Sequence, residues 1–525
     1  MNEWYRRAAG RSRHLSGGLA TVSATDRAIT ALVADRPHSG LDRTLRRLTR
    51  TADHSVLWGG VAAIMAARRG ASRKAAMRGV LSIALTSALA NAVLKPALPR
   101  RRPAAAELPA YRRVPDPPTS SSFPSGHAAS AAAFATAVTL ENRRIAPVVV
   151  PLAAAVAYSR VHVGVHWASD VLVGAGIGSA VALATQRWWP VRTSDEARAR
   201  PVDTVPELPD GEGLVIVANP FSGPPDYDAS EDVAERLPAA HHLVVQEGID
   251  LVEQLEKAIG ERGSWVRAVG VAGGDGTVAA AASVADRHGL PLVVVPAGTL
   301  NHFARDVGVY DTQEAVDATR AGEAVAVDLA MVEAHPGRGS DPEDPQVTDT
   351  RYFLNTASIG SYPELVRLRE QLQNRWGKWP SFAFALVTVL HRSERVKVKI
   401  AGEWHEVWFI FVGNGPYHPR GAVPAWRPTL DSGVLDVRWL AADVRFSRLR
   451  VLGALLLGAL GHSRVYHQME VAELDVELHE PSMLATDGEI VTEAGRYTFR
   501  VAPNPIPVYR RDEERWSGRS RPYLG

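Results

Sequence analysis

Three short clusters in the first half of the chain carry the residue types that phosphate chemistry needs. In chain order they are Lys95 with Arg102-Pro103, then Pro124-Ser125-Gly126-His127, then Ser159-Arg160 with His166 and Asp170. The cations among them can surround the non-bridging oxygens of a phosphoryl group, and arginine is suited to bidentate contact with those oxygens. If Ser125 and Gly126 open a helix, their backbone N–H groups would also face the anion. The clusters therefore predict a phosphate-binding site.

The third cluster also offers a nucleophile. His166 and Asp170 lie four residues apart, a spacing that on one helix face brings a carboxylate next to an imidazole. The carboxylate would then fix the tautomer of the ring and leave its other nitrogen free to attack phosphorus. His127 would remain to protonate the leaving oxygen. Incidental histidines and topology-setting cations are the alternative interpretation, but three such clusters in this order make chance a poor explanation.

The second half of the chain contains three short loops, each of which follows a predicted strand. They are Asn219-Pro220-Phe221-Ser222-Gly223, Gly273-Gly274-Asp275-Gly276-Thr277 and Pro296-Ala297-Gly298-Thr299-Leu300-Asn301. An open α/β sheet binds ligands at the carboxyl ends of its strands, and glycine lets backbone N–H groups approach phosphate oxygens. The candidate nucleotide-binding residues are Asn219, Ser222, Gly223, Gly273, Gly274, Asp275, Gly276, Thr277, Gly298, Thr299 and Asn301. Asp275 is also the candidate metal residue, because it could reach a magnesium ion through water.

A pair of carboxylates stands much later in the chain, in the run Thr486-Asp487-Gly488-Glu489. Either carboxylate could deprotonate an attacking hydroxyl while the glycine loops hold the γ-phosphate of a nucleotide. An ordinary acidic hairpin fits the same four residues equally well.

Five apolar segments must position the first three clusters. They are Ser55–Ala67, Gly79–Leu94, Ala128–Leu140, Ile145–Tyr158 and Trp167–Trp189. Several are shorter than the roughly 20 apolar residues of a full span, but five in succession predict an all-α transmembrane helical bundle over residues 1–189. Gly174, Gly176, Gly178 and Ser179 would let its helices approach closely. Ahead of them, arginines at helical spacing over residues 43–50 predict an amphipathic helix, either at a membrane surface or with a solvated face.

From residue 190 onward the pattern is that of a soluble protein. Residues 190–212 are rich in proline and charge and predict a linker. Strands that end in glycine or proline turns alternate with helices over residues 213–325, which predicts a doubly wound α/β nucleotide-binding lobe. Shorter strand-like segments predict a mainly β second lobe over residues 326–511, with an acidic insertion at Pro336–Asp349 and a polar tail at 512–525. The apolar stretch Arg448–Leu460 fits a core helix or a membrane contact.

Composition excludes several kinds of function. The chain has 525 residues, a formal net charge of +2 and no cysteine. The absence of cysteine rules out disulfides, thiol catalysis and cysteine-ligated zinc, and the small net charge gives no indication of a nucleic-acid partner. No cleavable signal peptide is expected at Met1–Leu19, which is polar and arginine-rich.

The first three clusters resemble those of the type 2 phosphatidic acid phosphatase family, which is related to haloperoxidases, over roughly residues 50–190. The resemblance implies a metal-independent mechanism in which His166 forms a phosphohistidine, Asp170 orients it and His127 is the general acid. It also assigns phosphate binding to Lys95, Arg102, Ser125, Gly126 and Arg160. His162 lies outside the motif and receives no role.

The later loops resemble those of the diacylglycerol kinase catalytic family of bacterial lipid kinases, over about residues 213–510. The resemblance implies ATP as phosphate donor, magnesium as its companion ion, Asp487 as catalytic base and Glu489 as its assistant. Glycine–glycine–aspartate loops also occur in NAD kinases and phosphofructokinases.

Three positions depart from the lipid kinase pattern. Pro224 and Pro225 follow Gly223 where a basic residue is common, and His302 follows Asn301 where aspartate is usual. The run Asp431–Gly433 contains serine where some members bind a structural magnesium ion through Asp-Asp-Gly. The first departure affects how the loop would bind phosphate, the second affects the residues around the metal, and the third affects binding of the structural ion.

The order of the two halves predicts a topology. ATP is available in the cytoplasm, and only Trp167–Trp189 separates His166 from the linker. If that segment spans the membrane, the phosphatase site faces outward. The cations that then fall on the inner side are Arg68, Arg69, Arg73, Lys74, Arg143, Arg144 and Arg187.

The sequence therefore predicts a bifunctional, multi-pass plasma-membrane enzyme that acts on membrane lipids. Its phosphatase would need no cofactor, and its kinase would transfer phosphate from ATP to a diacylglycerol-like lipid. Two alternatives stay open. One is an active phosphatase whose second half only senses a nucleotide or lipid, and the other is a kinase for a soluble substrate such as NAD.

Overall fold

The computed structural model describes residues 22–68, 71–104, 108–115, 117–191, 196–220, 222, 229–246, 249–298, 301–335, 349–362, 364–365, 368, 371–372, 378–392, 394–421 and 424–512. Residues 336–348 of the acidic insertion, the tail from residue 513, Gly223, Pro224, Pro225 and Thr299 lie outside these ranges. The chain divides into two compact units, with the division between Val191 and Arg192.

The described part of the first unit is helical and contains no strand. Its helices are α1 (22–34), α2 (Gly40–Thr51), α3 (Val56–Ala66), α4 (Ala71–Ala88), α5 (Lys95–Ala97), α6 (Gly126–Glu141), α7 (Ala146–His162) and α8 (Ala168–Ala184). A π-helical stretch, Leu89–Leu94, joins α4 to α5. Single 3-10 turns occur at Asp53–Ser55, Ala110–Arg112, Arg143–Ile145 and Thr185–Arg187. Each of the five predicted apolar segments thus forms a helix.

Three stretches among the described residues are long and apolar enough to cross a membrane. They are Ala71–Ala97, Arg143–His162 and Ala168–Arg187, and α3 is a shorter apolar helix. The hydrocarbon core of a bilayer is about 30 Å thick, which a helix of about 20 residues crosses. The first unit therefore has the composition of a membrane protein, with fewer full-length spans than apolar segments.

Helix α6 is buried on nearly all sides because its sequence is dominated by alanine. Its largest side chain, Phe134, is fully buried and its ring centroid lies 5.1 Å from that of Trp58. Helix α8 packs against α6 at backbone distance. A Cβ atom on Gly174 would lie 2.5 Å from the carbonyl oxygen of Ser125, and one on Gly178 would lie 2.0 Å from that of Ala129. The prediction of close approach is confirmed for these two glycines.

The second unit contains two sheets. The strands are β1 (Pro201–Val202), β2 (Leu214–Ala218), β3 (His241–Val244), β4 (Ala268–Gly273), β5 (Leu292–Pro296), β6 (Ala324–Val327), β7 (Ala330–His335), β8 (Asp349–Phe353), β9 (Thr356–Gly360), β10 (Val396–Ile400), β11 (Glu403–Asn414), β12 (Leu435–Ala441), β13 (Tyr466–Val471), β14 (Glu473–Thr486), β15 (Glu489–Val501) and β16 (Ile506–Tyr509). The helices are α9 (Ala229–Arg236), α10 (Leu251–Arg262), α11 (Asp275–His288), α12 (His302–Val307), α13 (Thr312–Ala321), α14 (Lys378–Arg392) and α15 (Ser447–Leu456), with 3-10 turns at Gly263–Trp265 and Leu460–His462.

The first sheet has the strand order β1-β6-β16-β5-β4-β2-β3. Strands β3, β2, β4 and β5 are parallel, and β2 and β4 are buried along their whole length. Buried parallel strands with helical crossovers are typical of α/β nucleotide-binding folds. Strand β1 comes from the predicted linker and β16 from the end of the predicted β lobe. They extend this sheet because β16 pairs with β5 and β6, which covers an otherwise open edge.

The second sheet is antiparallel and follows the order β13-β12-β11-β10-β14-β15-β7-β8. Strand β9 pairs with both β11 and β14. Because β10 also pairs with β11 and β14, these four strands form a closed ring. The prediction of a β-rich part after the α/β lobe is confirmed.

Candidate active sites

In the first unit, His166 lies in the turn between α7 and α8, ahead of Trp167, the residue that caps α8. It is buried, and its Nδ1 atom lies 2.7 Å from the carbonyl oxygen of Ser122 but 3.6 Å from Oδ2 of Asp170. The expectation that His166 and Asp170 share a helix face is therefore wrong, since α8 begins after the histidine. The carbonyl of Ser122 accepts the Nδ1 proton, and Nε2 keeps its lone pair.

The Nε2 atom of His166 faces a cation. It lies 3.2 Å from Nη1 of Arg102, whose guanidinium also donates to the carbonyls of Ser120 and Val165. Burial, assisted by the charges of Arg102 and Arg160, lowers the pKa of His166 to about 4. The imidazole is thus neutral near pH 7, which is the form that can attack phosphorus.

Asp170 binds groups other than the histidine. Its carboxylate accepts the backbone N–H of Trp167 at 3.0 Å and Nη1 of Arg100 at 2.6 Å. The other guanidinium nitrogen of Arg100 donates to Asp26 at 2.7 Å. Neither Arg100 nor Asp26 was predicted from the sequence. Arg100 lies two residues before Arg102, which the sequence motif identifies. Asp26 lies on α1 and has no fixed spacing from any of the clusters.

The predicted phosphate-binding cations lie in one site. Lys95 donates to Asn91 at 2.8 Å and is within electrostatic reach of Arg102 and Arg160. A Cβ atom on Gly126, the first residue of α6, would lie 3.8 Å from Nζ of Lys95. Three cations and a helix N-terminus therefore converge, as a phosphoryl group would require.

Two buried polar atoms in this site have no hydrogen-bond partner among the described residues. They are Oγ of Ser125 and Nε of Arg160. Buried polar groups are usually paired, because an unpaired one costs about 1–3 kcal/mol. An oxygen-rich ligand such as phosphate would satisfy the arginine donor and the serine hydroxyl together.

His127 has a partner that the sequence analysis missed. Its Nε2 atom lies 2.7 Å from Oδ1 of Asp53, and the same carboxylate oxygen lies 3.9 Å from Nη1 of Arg160. His127 is also within electrostatic reach of His166. Asp53 belongs to the short turn before α3 and is 46% exposed. No spacing rule connects it to the other clusters, so only the fold could identify it.

His162 and Arg112 form a separate polar group with Asp42 of α2. Oδ1 of Asp42 lies 2.8 Å from Nε of Arg112 and 2.7 Å from Nε2 of His162, and all three side chains are buried. Helix α2 is the amphipathic helix that the arginine spacing predicted. Its buried residues are Asp42, Leu45 and Thr49, and the hydroxyl of Thr49 accepts from Arg160.

In the second unit, the three loops follow β2, β4 and β5, which are adjacent strands of the parallel sheet. Two of the loops touch through their glycines, since a Cβ atom on Gly298 would lie 2.5 Å from Cα of Gly274. Asn219 donates from Nδ2 to Oγ1 of Thr277 at 3.1 Å, which ties the first loop to the second. Ser222 is held by its backbone N–H, which donates to the carbonyl of Asn219.

Asn301 closes the third loop on itself. Its Oδ1 accepts the backbone N–H of Gly298 at 2.8 Å, and its Nδ2 donates to the carbonyl of Gly298 at 2.7 Å. Asn301 has a φ of 49° and caps α12. This left-handed conformation suits asparagine.

Asp275 stabilises the start of α12. Its two carboxylate oxygens accept the backbone N–H groups of His302 and Phe303, at 3.1 and 2.9 Å. Among the residues that the structure describes, no group of three or more histidine and acidic side chains could hold a metal ion. A magnesium ion would therefore need ligands from the nucleotide, with Asp275 contributing through water.

Asp487 and Gly488 form the two-residue turn between β14 and β15, with φ values of 47° and 93°. Such turns favour Asp-Gly. The Asp487 carboxylate accepts three backbone N–H groups, from Leu354, Asn355 and Thr356, at 2.8, 2.8 and 3.0 Å. Burial raises its pKa to about 6, helped by the nearby charge of Asp275 and opposed by those three bonds.

Glu489 lies next to the second glycine loop. A Cβ atom on Gly276 would be 2.9 Å from its Oε1, so the two candidate elements meet. A buried arginine that was not predicted from the sequence connects the elements on the two sides of this contact. Arg427 donates to Asp306 of α12 at 3.0 Å and to the carbonyl of Leu354 at 2.6 Å. It thereby links the helix that Asp275 caps to the segment that holds Asp487.

Comparison with known proteins gives two family matches. Residues 75–194 match the PAP2 superfamily, and residues 213–332 match the diacylglycerol kinase catalytic domain. The chain is 31% identical over 154 residues to the decaprenylphosphoryl-5-phosphoribose phosphatase of Mycobacterium tuberculosis, which covers 29% of this chain and 82% of that protein.

Its second half is 28% identical over 247 residues to "Probable lipid kinase YegS-like" of Pseudomonas aeruginosa, over 45% of this chain and 74% of that protein. A crystal structure of a diacylglycerol kinase from Bacillus anthracis has a TM-score of 0.37 at 19% identity, over 57% of this chain and 97% of that one.

Proposed function

Because the chain belongs to the PAP2 superfamily and also carries a diacylglycerol kinase catalytic domain, we propose that it is a bifunctional membrane enzyme. One site removes phosphate from a lipid phosphate or pyrophosphate, and the other phosphorylates a lipid hydroxyl with ATP. The observation that carries the first activity is the neutral His166, with Nε2 facing Arg102 at 3.2 Å. The contact of Glu489 with the glycine loop at Gly276 supports the second.

The phosphatase reaction proceeds through a phosphohistidine. Nε2 of His166 uses its lone pair to form a bond to phosphorus while the bond between phosphorus and the lipid oxygen breaks. His127 gives its proton to the departing oxygen. Water then attacks phosphorus, His127 takes the proton of that water, and the N–P bond breaks to release inorganic phosphate. Lys95, Arg102 and Arg160 stabilise the charge on the non-bridging oxygens, and no metal is required.

The kinase reaction transfers the γ-phosphate of ATP to a lipid hydroxyl. Asp487 takes the hydroxyl proton as the oxygen attacks phosphorus, and the bond to ADP breaks. Three of the four acceptor positions of the Asp487 carboxylate are occupied by backbone N–H groups, which leaves one on Oδ2 for the substrate. A pKa near 6 suits a base that works at neutral pH. Glu489 assists, and magnesium, when bound with ATP, neutralises phosphate charge.

We also propose that the two sites face opposite sides of the plasma membrane. The three candidate spans are Ala71–Ala97, Arg143–His162 and Ala168–Arg187. One end of each lies near Lys95, at His162 or just after His166, and the other ends carry Arg73, Arg143 and Arg187. The arginine-bearing ends fit the cytoplasmic side. The kinase follows Arg187 and would be cytoplasmic, where ATP is available, and the phosphatase site would face outward.

Two variants of the full chain test the pair of activities. We expect His166→Ala to abolish phosphate release from lipid phosphates while phosphate transfer from γ-labelled ATP to a lipid panel continues. We expect Asp487→Asn to do the reverse. Phosphate release that survives in His166→Ala would contradict the assigned nucleophile. Loss of both activities in either variant, with the protein folded by its thermal unfolding curve, would contradict two independent sites.

One observation favours a second candidate for the kinase half, which is nucleotide sensing without transfer. Both oxygens of Asp275 and most of the acceptor positions of Asp487 are occupied by backbone N–H groups. The His166→Ala chain separates the candidates, because it cannot hydrolyse a phosphorylated lipid. ATP binding with no labelled lipid across the panel would favour the sensor.

A further inference from the structure

Helix α15 presents an apolar surface to solvent. It packs inward through Val451, which is fully buried in a cluster with Trp408, Leu440 and Leu460. On its other side Phe446, Leu449 and Leu457 are 62%, 68% and 69% exposed. These positions are separated by three and eight residues and so share one helix face. The sequence of this stretch was consistent with either a core helix or a membrane contact. In the structure the helix has one buried face and one exposed apolar face.

A second helix also carries an exposed apolar residue. Helix α14 contributes Val389 to the same buried cluster, and its Val387 is 50% exposed. Contiguous exposed apolar groups on a soluble domain mark an interaction site rather than random variation. The surface formed by Phe446, Leu449 and Leu457 is called the apolar face below.

Arginines alternate with the residues of the apolar face in the sequence. Residues 441–460 contain Arg445, Arg448 and Arg450 against a single acidic residue, Asp443. The Cζ atom of Arg445 lies 4.9 Å from the ring centroid of Phe446, and that of Arg448 lies 4.8 Å from the ring centroid of Trp408. All three arginines are exposed. Exposed arginines interspersed with exposed apolar side chains are typical of segments that lie at a lipid headgroup layer.

We propose that the apolar face docks on an anionic lipid bilayer. A second copy of the chain or another protein would fit apolar side chains equally well, but three arginines in one turn-and-helix segment repel a second copy and attract anionic headgroups. The same polypeptide carries three candidate membrane spans, so a bilayer is always within its reach. This proposal deepens the lipid kinase function and rests on it, since docking would bring the site to its lipid substrate.

A fluorescence experiment tests docking without relying on catalysis. The chain has no cysteine, so Leu449→Cys gives a single labelling position in the full-length protein, reconstituted in nanodiscs of phosphatidylcholine and phosphatidylglycerol. An environment-sensitive dye at this position should emit at shorter wavelength and be quenched by doxyl-labelled lipid. The matched control is Val244→Cys on β3, an exposed apolar position of the α/β lobe. We expect little quenching there.

Each outcome decides the proposal. Equal quenching at both positions, or none at residue 449, would overturn it. A blue shift without lipid quenching would place a protein surface over the face and would overturn it as well. Because the readout is optical, a failure of docking is distinguishable from a failure of the kinase activity.

The arginines provide a second measurement. Each arginine near an anionic surface contributes attraction that corresponds to about a five-fold change in the docked-to-undocked ratio. Arg450→Gln in the labelled Leu449→Cys chain should therefore reduce quenching in nanodiscs that contain phosphatidylglycerol and leave it unchanged in phosphatidylcholine alone. The same loss in both lipids would contradict the electrostatic part of the proposal.

Discussion

Asp53 is the residue whose contacts most affect the proposed phosphatase chemistry. Its carboxylate lies 2.7 Å from Nε2 of His127 and accepts the proton of that nitrogen, so Nδ1 is the ring nitrogen that would give a proton to the leaving group. Burial and the charge of Arg160 lower the pKa of His127, and the Asp53 carboxylate opposes this shift because it favours the protonated imidazole. We therefore expect Asp53→Asn to lower kcat for alkyl phosphate lipids about 10- to 100-fold, within the range that general acid catalysis supplies. The alkaline limb of the pH–rate profile should also move to lower pH.

The leaving group provides the control for this prediction. p-Nitrophenolate departs without a proton, so Asp53→Asn should affect p-nitrophenyl phosphate much less than a lipid phosphate. His127→Ala should show the same preference, and the double variant should lose no more than His127→Ala alone, because both act on one proton. Equal losses with both substrates would indicate that Asp53 serves only to hold the fold.

The two proposed sites should respond differently to pH. The pKa of Asp487 lies at about 6, so lowering the pH from 7 to 5 protonates this base. The pKa of His166 lies at about 4, so the same change leaves the nucleophile neutral. We expect the kinase rate to fall about ten-fold between pH 7 and pH 5, since the deprotonated fraction of this base falls by that factor. The ratio of phosphatase to kinase rate should rise at least as much, because the same change also protonates more of the general acid His127.

Parallel assays of the full chain, each with saturating substrate, would measure this ratio. The His166→Ala chain should keep the kinase profile unchanged, which excludes a contribution from product removal. A kinase rate that stays constant down to pH 5 would contradict Asp487 as the base.

At the scale of elements, the contact between α6 and α8 determines the geometry of the phosphatase site. A Cβ atom on Gly178 would lie 2.0 Å from a backbone oxygen of α6, whereas Gly176, on the same helix, has nothing within 4 Å. Alanine favours a helix over glycine by about 1 kcal/mol, but overpacking a tight contact costs about 1–3 kcal/mol. We expect Gly178→Ala to lower the melting temperature of the detergent-solubilised protein and its phosphatase rate.

Gly176→Ala is the matched control, and we expect it to be neutral or slightly stabilising. Because the kinase lies in the other unit, its rate should be unaffected by both changes. A Gly178→Ala protein as stable and active as Gly176→Ala would show that α8 moves away from α6 without consequence.

The helices and the parallel strands could be predicted because their signals are local. Runs of alanine and valine produced all five helices, and strand–glycine patterns produced β2, β4 and β5. The partners of the site residues were not local. Asp53, Arg100 and Asp26 come from segments with no fixed spacing to the histidines, and the Ser122 carbonyl carries no side-chain signal at all. Strand β16 was misassigned because its pairing with β5 joins residues that are about 200 positions apart.

The spacing of His166 and Asp170 shows how a correct residue choice can rest on a wrong local geometry. A separation of four residues suggested that both side chains share one helix face. Trp167 instead caps α8, and its backbone N–H donates to one oxygen of Asp170. The histidine therefore precedes the helix and binds a carbonyl from the loop before α6. Similarly, Asp275 was expected to face a metal. Its two oxygens instead accept the first backbone N–H groups of α12, because the third loop folds back on the second.

At the scale of the whole molecule, the two proposed activities oppose each other, which raises the question of futile cycling. A kinase and a phosphatase that share one leaflet and one lipid would only hydrolyse ATP. Separation by a membrane removes this waste, since each site then meets a different population of lipids. The candidate span Ala168–Arg187 is the sole apolar helix between His166 and the second unit among the described residues, so it decides the topology.

Single cysteines in the cysteine-free chain can test the separation in intact cells. Ala110 lies between Lys95 and the α6 N-terminus, Arg144 lies between α6 and α7, and Asp203 follows the last span, and all three are exposed. We expect a membrane-impermeant maleimide to label Ala110→Cys in intact cells, because its loop adjoins the outward-facing site. Asp203→Cys should react only after permeabilisation, because a crossing by α8 separates it from His166. Arg144→Cys should behave in the same way, because a crossing by α7 separates it from His166. Labelling of Ala110→Cys and Asp203→Cys under the same condition would put both sites on one face, and the two activities would then have to be separated by lipid specificity instead.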